Sequence, residues 1–131
     1  MHDRLSAKEK TFIARSRVCR VGSVDGRGTP HVAPLCHAFD RERRVVYVAT
    51  GGRTAKNLRK HPSASMECDD YYEDWDRLRG FSARAKARFV DKGPELVRAR
   101  ELLKRKFKQY RTFEIESVIA LRVEAVSSWG L

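Results

Sequence analysis

Short apolar runs separated by polar turns predict that the chain is mostly β-strand in its first half. The segments VCRVGSV (18–24) and HVAPLCHAF (31–39) flank the turn DGRGTP, and Asp25-Gly26 favours a hairpin because glycine tolerates positive φ. Pro34 removes one backbone donor from the second strand, which predicts an edge or a bulge there. A further turn, DRER, leads into RVVYVAT, and these three strands are expected to form a meander.

Three more strands are predicted later in the chain. SASMECDDYY is the fourth, and VIALRVEAVSSWG is the last. Between them, FSARAKARFV alternates strictly, which is typical of a strand with one buried face. Its apolar face consists of Phe81, Ala83, Ala85, Ala87 and Phe89.

The remaining patterns predict three helices. A capping box, SAKE, starts the first at Ser6, where the Ser6 and Glu9 side chains can each cap the other's backbone N–H. A short second helix is predicted over residues 53–61, with Thr54 as its N-cap. The segment GPELVRARELLKRKFKQY is the clearest helix, with Pro94 in its first turn. Because strands dominate and follow one another by short turns, we expect an antiparallel six-stranded barrel with helices outside it.

Size and charge narrow the function classes. A chain of 131 residues suits a single domain spanning 1–131. No run is long enough to span a membrane, and the N-terminus lacks an apolar signal core, so a cytoplasmic protein is expected. The net charge of +11 favours polyanions or phosphorylated small molecules, although it also serves solubility.

Three cysteines, Cys19, Cys36 and Cys68, are widely spaced and odd in number. This pattern argues against a disulfide framework and against a zinc site, so all three are expected to be small buried strand residues. The sequence has no cluster of metal-binding residues, so no metal site is predicted. A nucleic-acid-binding module remains an alternative, because Arg84, Lys86 and Arg88 share one strand face. The basic residues are nevertheless scattered, without an aromatic stacking platform.

The stretch VYVATGGRTAKNLRKHP carries the most informative chemistry. An apolar strand ends in Gly51-Gly52, and Arg53, Thr54 and Lys56 follow on the first turn of a helix. The first turn leaves backbone N–H groups unpartnered, and its dipole favours negative charge. The pattern therefore indicates either a phosphate site or an ordinary capped helix with solvated cations.

Taken in order, VGSVDGRGTPHVAPLCHAFD, VYVATGGRTAKNLRKHPSASMEC, YYEDWDRLRG and the terminal VSSWG give the chain a resemblance to the pyridoxamine 5'-phosphate oxidase-like family of flavin-binding split barrels. The resemblance covers about Ser16 to Gly130. It implies a mainly β (α+β) fold, a six-stranded antiparallel split β-barrel with peripheral helices. It also implies a homodimer with FMN at the subunit interface. The small branch that the chain resembles includes deazaflavin-dependent members.

The resemblance also implies which residues meet the cofactor. The strand lying against the flavin ring corresponds to His31, Val32, Ala33 and Pro34. The end of the third strand and the phosphate clamp correspond to Val48, Ala49, Thr50, Arg53, Thr54, Ala55, Lys56 and Asn57. From the partner subunit, Arg79, Gly80 and Trp129 are expected to reach the flavin, although plain packing is an equal explanation for Trp129.

The implied activity is hydride transfer between the flavin and an unidentified small organic substrate. Oxidation of pyridoxamine phosphate itself is not expected, because the sequence lacks the oxidase's C-terminal extension. No catalytic acid or base is identified; His31 and His37 are candidate proton donors or ordinary strand histidines. The alternatives are a deazaflavin-dependent reductase, whose acidic tail Arg59, Lys60 or Arg84 would meet, and a non-catalytic flavin-binding protein. Some split barrels of this type handle haem.

Overall fold

One antiparallel sheet of seven strands dominates the computed structural model, which describes Met1–Leu131. The strands are β1 (Val18–Val24), β2 (Pro30–Cys36), β3 (Ala38–Asp40), β4 (Val45–Val48), β5 (Ser63–Asp70), β6 (Arg79–Val90) and β7 (Val118–Trp129). Their spatial order is β2-β1-β5-β6-β7-β4-β3. The predicted first hairpin is confirmed: β1 pairs with β2, and Gly28 takes φ 80° in the turn between them.

The sheet curls into a half-barrel because its two end strands are almost continuous in the chain. β2 and β3 stand at opposite ends of the strand order, yet only His37 separates them. The two ends must therefore meet at His37, whose buried ring donates from Nε2 to the Ile13 carbonyl at 2.9 Å. The split-barrel fold expected from the sequence is confirmed. The predicted count of six strands is wrong, because closure divides the second predicted strand at His37, and the predicted meander is separated into two pairs at opposite ends.

Three helices lie around the sheet: α1 (Ala7–Arg15), α2 (Gly52–Lys60) and α3 (Gly93–Lys106). Short 3₁₀ turns follow at Trp75–Arg77 and Lys108–Thr112. The capping box of α1 is confirmed, since the Ser6 hydroxyl accepts from the Glu9 N–H at 3.1 Å and the Glu9 carboxylate accepts from the Ser6 N–H at 2.9 Å. No helix is both long and apolar enough to cross a membrane.

The start of α2 differs from the sequence prediction. The helix begins at Gly52 rather than Arg53, its N-cap is Gly51, and no side chain caps it. Gly52 takes φ 65°, a conformation that suits glycine, and this turns the chain into the helix early. Thr54 is consequently the third helical residue and is only 3% exposed, so its predicted role as N-cap is wrong.

Two apolar clusters form the core. The larger joins α1 to the sheet, and Phe12 packs edge-on against Phe81 with ring centroids 6.1 Å apart. The smaller lies under α3 and includes Leu103 and Tyr47, whose burial stabilises the fold by about 1.5–3 kcal/mol for a side chain of this size. The predicted alternation along β6 holds for Phe81 and the three alanines, all buried, while Phe89 is only partly buried.

Candidate functional site

A basic cleft of about 170 Å³ lies between one face of α2 and the β1–β2 hairpin turn. Its lining residues are Asp25, Gly26, Arg53, Lys56, Asn57 and Lys60. The three cations follow one another at intervals of three and four residues, which places them on one face of the helix. Arg53, Lys56 and Lys60 are exposed at the rim of the cleft. The cleft thus brings together two of the cations predicted for a phosphate clamp, and adds Lys60.

The position of α2 is held by a buried amide. Asn57 and Ser23 are both buried, and Asn57 Nδ2 donates to the Ser23 hydroxyl oxygen at 3.1 Å. This bond ties α2 to β1, the strand that leads into the turn on the other side of the cleft. Asn57 lines the cleft, but its amide is engaged with Ser23 rather than free in solvent.

The electrostatics of the cleft favour an anion. The first turn of α2 has no side-chain cap, so no side chain competes with an anion for its N–H groups or for the positive end of its dipole. Asp25 is the one carboxylate of the lining, and it serves its own turn by accepting from the N–H groups of Thr29 and Arg27. Those hydrogen bonds, that of Thr29 first, lower the pKa of Asp25. Three cations against one carboxylate leave the cleft net positive, and a phosphate matches this set of donors.

The other predicted clamp residues are placed differently. Thr54 is buried and Ala55 packs against the larger apolar cluster, so neither side chain faces the cleft. The preceding residues lead directly into the glycine pair: Val48 is buried in the core, and Ala49 and Thr50 are half-buried. The Thr50 hydroxyl donates to the Gly51 carbonyl at 3.4 Å, at the start of α2.

The residues expected to lie along the flavin ring form the edge strand β2. β2 pairs only with β1, which confirms the edge position expected from Pro34. His31 is half-buried, and Val32 is 66% exposed. A second cavity of about 210 Å³ opens beside them and reaches Ser23, the residue that anchors Asn57 of the basic cleft. The two cavities therefore adjoin the same part of β1.

Arg79, Gly80 and Trp129 form a separate group. Gly80 pairs with Trp129, and a Cβ on Gly80 would stand 2.6 Å from Cζ2 of the indole, so only glycine fits. Arg79 donates from Nε to Asp70 at 2.8 Å and from Nη2 to the Tyr72 hydroxyl at 3.2 Å. Trp129 remains 41% exposed.

A single chain does not bring this group to the basic cleft. Ser63, just after α2, pairs with Lys86, and Lys86 lies six residues along β6 from Gly80. Six residues of strand span roughly 20 Å. The contributions of Asp25 and Ser23 to the basic cleft were not predicted from the sequence. The contact between the hairpin and α2 joins segments about thirty residues apart, so it leaves no local pattern.

No group of three or more His, Cys, Asp or Glu side chains is arranged to hold a metal ion. The two candidate proton donors differ in access. His37 is buried at the barrel closure, whereas His31 lines the cavity beside β2.

Comparisons with known proteins place the chain among similar folds. The family model for pyridoxamine 5'-phosphate oxidase matches residues 5–130. No curated protein matches the chain. A solved FAD-binding protein from Mesorhizobium loti is 22% identical with a TM-score of 0.75, the match covering 95% of this chain and 92% of that one.

Two further solved structures are similar. An FMN-binding protein from Syntrophomonas wolfei is 13% identical with a TM-score of 0.72, covering 92% of this chain and 82% of that one. HutZ, the heme storage protein from Vibrio cholerae, is 19% identical with a TM-score of 0.73, covering 96% and 94%. At these identities the structures show a shared fold alone.

Proposed function

The chain belongs to the pyridoxamine 5'-phosphate oxidase-like family of split barrels, and from that premise we propose that it is an FMN-binding oxidoreductase that transfers hydride to or from a small organic substrate. The observation that carries the proposal is the basic cleft between α2, whose start has no side-chain cap, and the β1–β2 turn. Flavin-binding proteins among the structures of the same fold support it.

The donor set of the cleft fits a phosphate monoester. The unpartnered N–H groups of the first turn, together with Arg53 and Lys56, offer hydrogen bonds and positive charge to one anionic group. Nothing lies within 4 Å of where a Cβ would stand on Gly51 or Gly52, so the backbone there is open to a ligand. Arg53 and Lys56 would hold the phosphate, and the rigid Asn57–Ser23 contact would keep them in place.

The edge strand β2 suits the remainder of a flavin. Its outer edge has no neighbouring strand, so the backbone N–H and C=O groups on that side are free to meet polar ring atoms. Val32 offers an exposed apolar side chain on the same strand. When bound, a flavin supplies hydride chemistry through its ring. His31 is the proton donor that we favour over His37, because His31 lines a cavity and His37 is sealed in the interior.

We further propose that the chain acts as a homodimer whose interface holds the cofactor. Arg79, Gly80 and Trp129 lie too far from the basic cleft to serve the same site within one chain. A second copy would bring them to it, and exposed apolar side chains such as Val18 and Val32 on the β1–β2 edge suit such an interface.

A deazaflavin coenzyme is the main rival, because Lys60 extends the row of cations beyond a single phosphate. Haem is the rival suggested by the heme storage protein of the same fold. Purified protein should be denatured and the released small molecules identified by mass spectrometry, with visible spectra recorded beforehand. FMN gives a yellow spectrum, deazaflavin absorbs at shorter wavelength with blue-green fluorescence, and haem gives a Soret band.

If nothing co-purifies, the protein should be titrated with FMN. Failure of FMN to bind in that titration would overturn the proposal. Binding of nucleic acid, tested by filter binding over a salt series, would favour the basic-module alternative if affinity is measurable at low salt and falls steeply as salt rises. Flavin binding without turnover of any electron donor would indicate a storage or sensing role.

A further inference from the structure

Two cysteines that are distant in sequence lie opposite each other in the sheet. β1 and β5 pair with Arg20 opposite Glu67, and one step further along the same register puts Cys19 opposite Cys68. Such antiparallel partners have Cα atoms about 4.5–5.5 Å apart, within the range that a disulfide spans. Cys19 is 0% exposed and Cys68 is 1% exposed. The third cysteine, Cys36, is exposed, which corrects the expectation that all three are buried.

The surroundings of the pair favour ionisation of one of the two sulfurs. Cys68 donates its thiol proton to the Val18 carbonyl at 3.3 Å, so its sulfur stands beside the start of β1. The contact of Cys19 with the Cys68 thiol, despite the opposing effect of burial, lowers the pKa of Cys19, and the neighbouring His37 and Lys106 lower it further. Thiolate is the reactive form of cysteine, and positive surroundings favour it.

A buried histidine lies close to this place. His37 Nε2 donates to the Ile13 carbonyl. Nδ1 is buried and has no hydrogen-bond partner, so it is not bonded to either sulfur. Lys106 closes the group from the end of α3, with its ammonium bonded to the Ser16 carbonyl.

We propose that Cys19 and Cys68 are a redox-active dithiol that hydrogen peroxide converts to a disulfide within the folded chain. This site is independent of the flavin proposal. The burial of both sulfurs excludes large oxidants, since a peptide disulfide is far too large to reach them.

The chemistry balances in two steps. The Cys19 thiol loses its proton, and its sulfur attacks one peroxide oxygen; the O–O bond breaks, and the departing hydroxide takes up the proton released by Cys19 and leaves as water. This leaves Cys19 as a sulfenic acid. The Cys68 sulfur then attacks the Cys19 sulfur, the S–O bond breaks, and the hydroxyl leaves with the Cys68 proton as a second water. Two thiols and one peroxide become one disulfide and two waters.

The test uses the folded chain with Cys36→Ser, which removes the exposed thiol and leaves the pair intact. The variant is treated with hydrogen peroxide, denatured, alkylated with N-ethylmaleimide and analysed by peptide mass spectrometry. We expect loss of both alkylation sites, a linked peptide containing Cys19 and Cys68, and full recovery after dithiothreitol. The same variant in urea should form this disulfide much more slowly, because the two cysteines are then no longer held together.

Retention of both alkylation sites in the folded variant, oxidation of either sulfur to sulfinic acid without a linked peptide, or an equal rate in urea would overturn the proposal.

Discussion

Removing one cation from the basic cleft should weaken FMN binding, while removing a cation of the same helix that lies outside the cleft should not. Lys56→Gln deletes a charge that lines the cleft. Arg59→Gln deletes a charge from the same helix, but the Arg59 guanidinium lies 3.9 Å from the centroid of the Phe89 ring and is not part of the cleft. The two variants carry the same net charge, so any difference between them reports position.

The magnitude follows from the exposure of Lys56. Two unit charges 4 Å apart interact by about 1 kcal/mol in water and about 4 kcal/mol at the effective dielectric constant of a protein surface. Lys56 is exposed, so its contribution lies toward the water limit, at about 1–2 kcal/mol. That loss corresponds to a roughly 5- to 30-fold rise in the Kd for FMN. Arg53→Gln should lose a similar amount, whereas Arg59→Gln should change the Kd by less than about 3-fold, with its main cost in stability.

The assay is a titration of FMN followed by its fluorescence, repeated at rising ionic strength. The gap between the parent and Lys56→Gln should narrow with salt, because exposed charges are screened over about 8–10 Å at moderate ionic strength. Equal weakening by Lys56→Gln and Arg59→Gln would show that only the overall charge matters and would refute the clamp. An unchanged Kd in both Lys56→Gln and Arg53→Gln would place the phosphate elsewhere.

Three further changes test the fold around the site. Gly52→Ala should cost about 1–2 kcal/mol in urea unfolding, because Gly52 has φ 65° with open space around it, whereas Gly26→Ala, also in open space without positive φ, should cost much less. Although burial alone raises the pKa of Glu9, hydrogen bonds from neighbouring groups hold it at about 2, so Glu9→Gln should lose stability at pH 7. Because the lowered pKa stabilises the fold only above the ordinary value of 4.5, that difference should shrink as pH falls from 4.5 toward 2. Gly80→Ala should destabilise the chain by about 1–3 kcal/mol and shift the emission of Trp129, since its Cβ would stand 2.6 Å from the indole; unchanged emission would contradict the packing.

Features set by neighbouring residues were predictable from sequence. The capping box at Ser6 and Glu9 and the hairpin turn at Asp25 each depend on side chains that bond within four residues of themselves. The alternation along β6 was predictable because one face of the strand meets the core along most of its length. In each case the residues that favour the local structure are close together in the sequence.

The predictions were wrong where contacts between distant segments determine the local structure. Thr54 is a good N-cap residue by type, but the core takes up its side chain, and Gly52 starts the helix earlier through its positive φ. The second predicted strand is divided at His37 because the sheet closes there. The hydrogen bond that holds His37 in place is made to Ile13, which belongs to α1 and is distant in sequence. Cys19 and Cys68 likewise lie opposite each other because β1 pairs with β5. The spacing of the two cysteines in the sequence does not reveal that pairing.

The cleft itself was predictable only in part, for the same reason. Arg53 and Lys56 were identified because a strand, two glycines and a cationic turn are consecutive. Asp25 was recognised as a turn residue, yet its place opposite Arg53 depends on the hairpin folding back toward α2. Asn57 was expected beside the phosphate, but the structure uses its amide to hold the helix to Ser23.

The cation clamp and the Gly80–Trp129 group lie far apart within one chain, and this separation determines how the sites of a dimer are composed. In the proposed homodimer the cation clamp of one subunit and the Gly80–Trp129 group of the other complete each site, because roughly 20 Å of strand separates the two groups within one chain. A twofold axis then makes two such sites. A mixed dimer of one Lys56→Gln subunit and one Gly80→Ala subunit therefore carries both changes in one site and neither in the other. Such a dimer should retain one site of parental affinity, whereas a site contained within a single chain would leave both sites altered.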